Sequence, residues 1–565
     1  MAIDKFGNKT APHAKKYNED NRFHCIDKEK RHHSVYIKDV YALELRCDYT
    51  KNKAELKDWS LVGPDKIYAG KTISDFMNTL CTLIDKYSLK EYSNTCFYKD
   101  QVMIYTENMA KALGILQDAF KVSSDSIFKD STQIKQFTIF DYFVISMTGG
   151  WTDAEDVIDI YNDMTNVMNT VFIPNSRVYL TPYQYNRKRL KKLNVEPSVV
   201  PKNIGEHTFW RNAYYGGAAF SKRNITYKMP IIEYDRKSAY LYEYFMPHMS
   251  GPLKEINTSE WKRWLDNFEV TNSVGTYSIT FEMTHRLLNI FNSEKRPWQL
   301  NKEYTIKITL LSIDLKLFMQ CADIKSITCT SLFEYEVSML PKSVIDHIVQ
   351  CYINKETYKD LLHKKIANAN YGSLCMDLDK DKIKELKKKP YYSPMWGYEI
   401  AAYARQHLYD CGKNLQGWIY SDTDSIFCMK TPENEVIINE YNMYMQKVIK
   451  KACEYYDLNF ESIKKIGLFK FETEITEMIV RGIRTYAYVD VEGNFVQKAS
   501  GMCDDANNTI SDWESDDELD YGTRVRKEVN EDGYFEYREK NYMEPNLNMS
   551  GAMLFSILKI NQEEV

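Results

Sequence analysis

The chain has 565 residues, of which 44% are hydrophobic and 27% are charged, and its formal net charge at pH 7 is −5. This composition indicates a folded protein with room for two or more domains, and it excludes a uniformly basic nucleic-acid-binding surface. The 12 cysteines show no zinc-ligand spacing, which favours reduced thiols in a cytoplasmic compartment, that of a host cell if the protein is viral. No apolar run is long enough to cross a membrane, so we expect no membrane partner.

The N-terminal part of the chain predicts an arm followed by a mixed domain. Residues 1–33 are polar and basic, and we expect them to form a flexible arm. Residues 34–200 combine apolar strands, such as 35–45, with a helical pattern at 154–171. These patterns predict one α/β domain. The tyrosine-rich, basic segment 177–201 is predicted to be a linker.

A strand followed directly by a helix carries the first candidate site residue. The apolar pair Ile231-Ile232 predicts a strand that ends at Asp235, and a helical pattern begins near Ser238 and Tyr240. A carboxylate at a strand end, beside a helix N-terminus, can hold a metal ion and a phosphate together. The alternative, equally weighted at this point, is that Asp235 only caps the helix.

The middle of the chain predicts two strands, at 276–282 and 305–311, and a helix at 343–351. A second helix follows, on which Lys364, Asn368 and Tyr371 recur at spacings of three and four and therefore share one face. Gly372 is predicted to end this helix. A cation, an amide and an aromatic ring in a row suit a triphosphate, a base edge and a stacked base, whereas the plainer interpretation is a solvated lysine helix.

The stretch 418–429 predicts a β-hairpin whose tight turn carries Asp422 and Asp424. Two carboxylates on so short a turn repel each other unless a cation lies between them, and oxygen ligands suit Mg²⁺ or Mn²⁺. A solvated turn is the alternative. Further along, Arg484 and Tyr486 alternate on a predicted strand, and basic and aromatic side chains on one face suit a nucleic-acid backbone.

Together, the carboxylates of Asp235, Asp422 and Asp424 and the Lys364 helix match two-metal phosphoryl transfer. Two cations about 3.5–4 Å apart stabilise both the attacking 3′-oxygen and the leaving oxygen in such sites. A nearby lysine neutralises charge on the triphosphate.

Five motifs resemble those of family B DNA polymerases, most closely the protein-primed subfamily of small bacteriophages and linear plasmids. The first and third palm motifs are similar to Asp235-Arg-Lys-Ser-Ala-Tyr240 and Tyr420-Ser-Asp-Thr-Asp424. The fingers motif resembles Lys364-x-x-x-Asn368-x-x-Tyr371-Gly372. Tyr214-Tyr-Gly-Gly217 is similar to the linker motif before the polymerase domain, and Arg484-Thr-Tyr486 is similar to the primer-binding Lys-x-Tyr motif, with arginine in place of lysine.

The resemblance implies a role for each matching residue. Asp235 and Asp424 would hold two Mg²⁺ or Mn²⁺ ions with Asp422 in support, and Tyr240 would exclude a ribose 2′-hydroxyl. Lys364, Asn368 and Tyr371 would contact the incoming dNTP, and one of two further lysines would touch its phosphates, Lys355 or Lys359. The primer-template DNA would be contacted by the linker, the hairpin turn and the primer-binding motif, that is, by Tyr214, Gly216, Gly217, Thr423, Arg484 and Tyr486.

The resemblance also implies the fold: an α+β multidomain chain with an N-terminal RNase H-like, exonuclease-like α/β domain and a right-hand polymerase. The implied domains, besides the arm at 1–33, are the exonuclease-like domain 34–200 and the polymerase domain 201–565. The latter divides into palm 201–250 and 392–490, an insertion 251–345, fingers 346–391 and thumb 491–565. In this subfamily the insertion contacts a terminal protein that serves as primer, which is therefore an expected partner.

The expected exonuclease motifs are degenerate. Where the family has Asp-x-Glu, this chain has Ala42-Leu-Glu44, and where it has Asn-x-x-x-Asp, this chain has Asn108-Met-Ala-Lys-Ala112. From the third motif only Asp163 remains. Because two carboxylates are missing from a two-metal site, we expect no 3′–5′ proofreading.

We therefore predict a DNA-directed DNA polymerase that transfers dNTPs to a primer 3′-hydroxyl and replicates a linear viral or plasmid genome from a protein primer. Two alternatives remain. One is a catalytically silent scaffold that holds DNA or a terminal protein, and the other is a template-independent or RNA-templated nucleotidyl transferase.

Overall fold

The structure is a computed structural model, and the chain clusters into two compact units that we describe separately. One unit comprises Met1–Asn186, Lys359–Ile366 and Arg524–Lys540, and the other comprises the remaining residues. The residues that the structure describes are 23–25, 36–50, 53–87, 100–106, 136–139, 143–148, 150–152, 154, 156–171, 181–193, 195, 199–221, 224–257, 272–293, 297–388, 391–499, 502, 506–515, 519–520, 523–529 and 535–541.

The first unit is built on a seven-stranded mixed sheet. Its strands are β1 Phe23–Cys25, β2 Tyr36–Thr50, β3 Lys53–Val62, β4 Ile67–Gly70, β5 Asp100–Thr106, β6 Gln136–Ile139 and β7 Phe143–Met147. Their spatial order is β1-β6-β7-β5-β2-β3-β4. Strand β5 runs parallel to both β2 and β7, and the other pairs are antiparallel.

Two helices accompany this sheet, α1 Ile73–Tyr87 and α2 Val157–Val171, and α3 Pro182–Lys192 begins in this unit. Helix α2 buries side chains at helical spacing, Val157, Ile160, Met164, Val167 and Val171. An apolar stripe of this kind must pack on a core, which explains why the α/β pattern was visible in the sequence.

Two expectations for this part of the chain need correction. Phe23–Cys25, inside the predicted arm, pairs with β6 as an edge strand, because the edge of the sheet satisfies its backbone hydrogen-bonding groups. The predicted linker 177–201 contains helix α3. Its run of Arg, Lys and Tyr includes good helix formers, whose propensity outweighs the loop-like polarity.

The second unit contains the remaining elements. Its strands are β8 Ala219–Ser221, β9 Ile225–Tyr227, β10 Ile231–Arg236, β11 His248–Met249, β12 Lys254–Glu255, β13 Ser273–Met283, β14 Glu303–Leu311, β15 Ala322–Glu334, β16 Val337–Ser338, β17 Tyr420–Asp422, β18 Ser425–Met429, β19 Phe469–Gly482, β20 Thr485–Asp490 and β21 Phe495–Ala499. Its helices are α4 Ile204–Arg211, α5 Ala239–Glu243, α6 Ser312–Gln320, α7 Lys342–Tyr358, α8 Leu361–Leu374 (which begins in the first unit), α9 Lys380–Lys388, α10 Pro394–Gly412, α11 Pro432–Tyr456, α12 Phe460–Ile463 and α13 Ile510–Glu514. A separate two-stranded sheet, which belongs almost entirely to the first unit, pairs β22 Thr523–Val529 with β23 Phe535–Asn541.

The central element of the second unit is an eight-stranded antiparallel sheet. Its order is β21-β20-β19-β10-β18-β17-β8, with β9 paired to β19. Strand β10 lies between β19 and β18, and its side chains alternate between two cores. Ile232 and Tyr234 join the larger core, whereas Ile231 packs on the other face with Phe427 and Tyr486. Because alternate residues share a face, Asp235 projects on the Ile231 side.

A four-stranded sheet of order β12-β15-β13-β14 occupies the predicted insertion. It confirms the strands predicted at 276–282 and 305–311, which are longer at one or both ends. The fingers helix differs from its prediction, because α8 continues through Gly372 to Leu374. Gly372 does not adopt a positive φ there, and burial of Ser373 and Leu374 stabilises the two additional residues of the helix.

Candidate active site

Two carboxylates from distant parts of the chain meet at neighbouring strand ends. Strand β10 pairs with β18 so that Asp235 lies opposite Ser425, the residue after Asp424. The backbone N–H of Arg236 donates to the Asp424 carbonyl at 2.9 Å. The two carboxylates are also close enough that the charge of Asp235, after burial, raises the pKa of Asp424. The predicted convergence of Asp235 with the hairpin turn is therefore present in the structure.

Burial and like charge act on both of these carboxylates. Burial, together with the charges of Asp235 and Asp422, raises the pKa of Asp424 to about 7. Burial and Glu472 also raise the pKa of Asp235, while Lys355 and Lys470 oppose the shift. Partly buried carboxylates whose pKa values are raised by burial and by neighbouring negative charge favour a cation beside them.

Asp422 is held differently from the other two. Its carboxylate forms an ion pair with Arg484, whose Nε and Nη2 donate to its two oxygens, and it also accepts a hydrogen bond from the Thr423 hydroxyl. The cation that relieves repulsion beside Asp422 is thus a guanidinium, where the sequence led us to expect a metal ion between Asp422 and Asp424.

The donor set fits a Mg²⁺ ion but not a cage made of protein alone. Among the described residues, no group of three or more His, Cys, Asp or Glu side chains is arranged to hold a metal ion. Mg²⁺ needs fewer protein ligands than that, because it is usually bound by one or two carboxylates plus substrate phosphates and water. The partly buried oxygens of Asp235 and Asp424 satisfy this requirement.

Three tyrosines and a glycine form a wall beside the acidic pair. The rings of Tyr240 and Tyr371 are stacked, with centroids 4.2 Å apart and planes at 5°. The hydroxyls of Tyr371 and Tyr214 are hydrogen-bonded at 2.9 Å. Gly217 has no room for a side chain, since a Cβ there would lie 2.7 Å from Thr423 Oγ1 and 2.9 Å from the Tyr240 hydroxyl. The glycine thus lets the linker backbone approach the hairpin turn.

The start of helix α5 places a lysine near Asp235. Ser238 precedes the helix in a left-handed conformation, with φ 52°, and its side chain caps no backbone group. Its hydroxyl instead accepts a hydrogen bond from Lys355 Nζ at 2.8 Å. The charge of Lys355 lowers the Asp235 pKa, so this lysine lies beside the acidic pair.

The other predicted dNTP contacts lie on α8 and on the connection that precedes it. Lys364 and Asn368 are exposed on one face of α8, and Tyr371 follows on the same face. Lys359, also exposed, joins α7 to α8 with a left-handed φ of 54°. The shared helix face that the spacing predicted is therefore present for Lys364 and Asn368.

The predicted primer-binding strand is one residue shorter than expected. Strand β20 begins at Thr485, and Arg484 precedes it with a φ of 56°. Only 5% of Tyr486 is exposed, and its ring packs against Tyr420 and Phe427. A direct DNA contact by Tyr486 does not agree with this burial, because apolar neighbours on the inner face of the sheet enclose the ring.

Two buried ion pairs next to the site were not found by sequence reasoning. Arg405 of α10 binds both oxygens of Asp314 and donates to the backbone carbonyls of Tyr215 and Gly216. Arg236 donates to Glu243 at 2.6 Å, and its Nε donates to the Gly467 carbonyl. The sequence carried a signal only at Arg405, which interrupts a mostly apolar helical run; Arg236 follows Asp235 and precedes Lys237 in a charged stretch, so nothing marked it as buried.

His407 is a third member of the buried network that contains Arg236 and Glu243. His407 of α10 lies 2.9 Å from a Glu243 carboxylate oxygen. The charges of His407 and Arg236 lower the pKa of Glu243 against the effect of burial. Glu243 is therefore ionised beneath the strand that carries Asp235.

Glu233 was also missed. It shares a face of β10 with Asp235, and burial raises its pKa to about 7. Tyr486 and Lys498 lie close to Glu233, and the positive charge of Lys498 opposes this shift of the pKa. Alternation along β10 was the signal that could have identified it.

The candidate exonuclease residues lie in the first unit. Glu44 forms an ion pair with Arg46, and Asp163 accepts a hydrogen bond from the Thr152 hydroxyl. Ala42, at the position of the family's missing aspartate, is fully buried in β2. Asn108 lies outside the described residues.

Comparisons with known proteins show the fold of the chain. No protein-family model matches it, and neither does any curated protein. Several solved structures of Phi29 DNA polymerase match, including three complexes with DNA. The one with primer-template DNA has a TM-score of 0.59 and 14% identity over 89% of this chain and 99% of that one.

The other two matches agree with it. The complex with primer-template DNA and incoming nucleotide substrates has a TM-score of 0.56 and 14% identity over 89% and 99% of the two chains. The complex with single-stranded DNA has a TM-score of 0.56 and 15% identity over 82% and 92%. The chain therefore has the multidomain α and β fold of Phi29 DNA polymerase, which confirms the expected resemblance at the level of fold.

The structure adds one observation about membranes. Within the described part of the chain, no helix combines the length and the apolar character that a membrane span requires.

Proposed function

We propose that this protein is a DNA-directed DNA polymerase that uses two Mg²⁺ or Mn²⁺ ions to join dNTPs to a primer 3′-hydroxyl. The observation that carries the proposal is the register of β10 and β18, which brings Asp235 and Asp424 together at one edge of a Phi29 polymerase-like fold. Without a cation, two neighbouring, partly buried carboxylates that are both ionised raise the free energy of the folded state.

The metal site belongs to Asp235 and Asp424, with Asp422 held aside by Arg484. Asp235 and Asp424 would hold the metal ions, which would supply Lewis-acid activation of the primer hydroxyl and neutralisation of the triphosphate charge. Lys355, fixed on Ser238 beside Asp235, supplies a positive charge for the phosphates. Of the two lysines left open by the sequence, Lys355 is the one that the local geometry favours.

The tyrosine wall selects the sugar and positions the base pair. The Tyr240 ring, stacked on Tyr371, forms a rigid surface on which a 2′-hydroxyl would find no space. Tyr214 holds Tyr371 through its hydroxyl. On the exposed face of α8, Lys364 and Asn368 are available to an incoming nucleotide.

The remaining parts of the assignment extend this proposal. The second unit supplies the palm and most of the fingers and thumb. The four-stranded sheet within 251–345 is the terminal-protein insertion that makes priming by a protein the favoured route. The first unit is exonuclease-like, since its sheet joins an antiparallel set of strands to a parallel one around β2. It lacks proofreading because Ala42 offers no ligand.

Primer extension on a DNA template tests the function. Wild-type protein with Mg²⁺ and dNTPs should extend a labelled primer in template order, and D424N should lose at least about a thousandfold of that rate. The control is D381N, which removes a carboxylate whose side chain is 92% exposed. This variant should match wild type.

The alternatives give other results. Tight binding of primer-template without extension by wild-type protein indicates the silent scaffold. Extension without a template, or faster extension on RNA, indicates another nucleotidyl transferase. Release of nucleotides from a 3′-labelled single strand, abolished in D163A, would contradict the absence of proofreading.

A further inference from the structure

Helix α11 is acidic in its first half and basic in its second half. The helix has 25 residues, and its first half carries Glu433, Glu435 and Glu440. Its second half carries Lys447, Lys450, Lys451 and Glu454, which leaves that half net positive. Charge of opposite sign in the two halves of one helix is self-complementary when a second copy lies antiparallel to it.

A continuous exposed stripe runs along this face. Residues at spacings of three and four lie on one side of a helix, and such a series here is Val436, Glu440, Met443, Lys447 and Lys451, all of them exposed. Met443 and Val436 are each 54% exposed, and the neighbouring Tyr444 is 53% exposed. The opposite side of α11 is buried, with Ile438, Met445 and Ile449 in contact with the core.

The charges at the centre of the stripe lack partners within the chain. Among the described residues, neither Glu440 nor Lys447 forms an ion pair. They cannot pair with each other, because they lie two turns apart, about 10 Å along the helix. Met443 and Tyr444 lie midway between them, at the centre of α11.

We propose that this stripe is the interface of a twofold-symmetric homodimer, in which α11 packs antiparallel against α11 of a second copy. Met443 and Tyr444 meet their symmetry mates on the dyad. Glu440 of each copy faces Lys447 of the other, so that one ion pair forms on each side of the dyad. The acidic first half would prevent a nucleic acid from lying along the same stripe.

The size of the contact sets its strength. One pair of helices of this length buries less than the roughly 800 Å² per partner of a standard interface. We therefore expect a dimer whose population depends on protein concentration in the micromolar range. This inference rests on α11 alone and does not depend on the polymerase assignment.

Sedimentation velocity of the full chain over a range of concentrations tests the interface. The weight-average mass should rise from that of the 66.5 kDa monomer towards the dimer. E440K and K447E should each weaken the association by at least about tenfold, and the double variant E440K/K447E should restore it. M443D should abolish it.

The control is K384E, which makes the same charge change as K447E but at an exposed lysine of α9. It should leave the association unchanged, and circular dichroism should show that every variant is folded. A chain that is monomeric at all concentrations would overturn the proposal, as would failure of the charge swap to restore association. A monomer that binds a single-stranded oligonucleotide through Lys447 would assign the stripe to nucleic acid, and would equally overturn it.

Discussion

Arg484 binds the Asp422 carboxylate at both oxygens, with Nε donating to Oδ2 at 2.9 Å and Nη2 donating to Oδ1 at 3.1 Å. This ion pair removes one of three neighbouring negative charges from the acidic cluster. It also gives Arg484 a role in the site that does not require contact with DNA.

The first prediction concerns this pair. R484A leaves Asp422 unpaired, so we expect the Mg²⁺ concentration for half-maximal primer extension to change by roughly tenfold, the equivalent of one charge-assisted hydrogen bond. R484K keeps the charge without the paired contacts and should be intermediate. Titration of Mg²⁺ in a primer-extension assay measures the effect. Weaker primer binding with an unchanged Mg²⁺ dependence would instead indicate the DNA contact that the sequence suggested.

The second prediction compares two adjacent glycines. A Cβ on Gly217 would meet Thr423 at 2.7 Å, whereas a Cβ on Gly216 meets nothing within 4 Å. We expect G217A to lower the free energy of unfolding by about 1–3 kcal/mol, the usual cost of overpacking, and to slow primer extension. G216A, which adds the same methyl group, should behave like wild type in denaturant unfolding and in extension. Equal effects of the two substitutions would show that the close approach is not required.

The third prediction concerns sugar selection. Y240V removes the ring that stacks on Tyr371, so we expect the preference for dNTPs over ribonucleotides to fall by roughly a hundredfold. Single-nucleotide incorporation with both substrates measures this preference. Y371F is the matched control, because it keeps the stacked ring and loses only the hydrogen bond to Tyr214. If Y240V keeps its discrimination, another residue excludes the 2′-hydroxyl.

The fourth prediction is a pH dependence of stability in the absence of metal. The pKa of Asp424 is about 7 in the folded protein, raised from 3.8. The folded state therefore holds this proton more tightly than the unfolded state does, and stability from this group is present below pH 3.8 and lost as the pH rises through about 7. The melting temperature measured in EDTA should therefore decrease as the pH is raised from about 6 to about 8, that is, across this pKa.

Mg²⁺ should reverse that loss, because binding to the ionised carboxylates stabilises the folded state. D424N should remove both the pH dependence over this range and the response to Mg²⁺. A melting temperature that responds to Mg²⁺ equally in D424N would place the ion elsewhere.

The fifth prediction concerns the buried pair of Arg236 and Glu243. Both side chains are almost fully inaccessible, so R236M leaves an uncompensated charge and should lower the free energy of unfolding by about 3–5 kcal/mol. The control is K342M at the exposed pair with Asp346, where we expect less than about 1 kcal/mol. Denaturant unfolding measures both variants. A small effect of R236M would mean that water or rearrangement compensates Glu243.

Local pattern was enough to predict the elements that carry the acidic residues. An apolar pair before Asp235 and apolar flanks around Asp422 and Asp424 determine a strand and a hairpin whatever their partners are. Sequence could not show the long-range partners. Arg405 and Arg236 have the sequence properties of surface residues, and only the fold buries them. Tyr486 alternates on its strand as predicted, but it lies on the face of the sheet that packs against the core.

Short-range signals failed where tertiary packing opposed them. Gly372 has the properties of a helix stop, but burial of the following residues extends α8 by half a turn. The polar segment before β2 looks like an arm, yet Phe23–Cys25 gains ladder hydrogen bonds with β6. Both outcomes depend on packing or pairing with other parts of the chain, so local sequence patterns could not predict them.

The pairing of β10 with β18 has a consequence for synthesis of the protein. Asp235 leaves the ribosome long before Asp424, and the two come together only when the later hairpin docks beside the earlier strand. A nascent chain that ends before that hairpin lacks Asp424 and therefore cannot form the acidic pair. A slip of one residue in the pairing would turn Asp235 towards the opposite face, so catalytic competence and correct completion of this sheet are the same event.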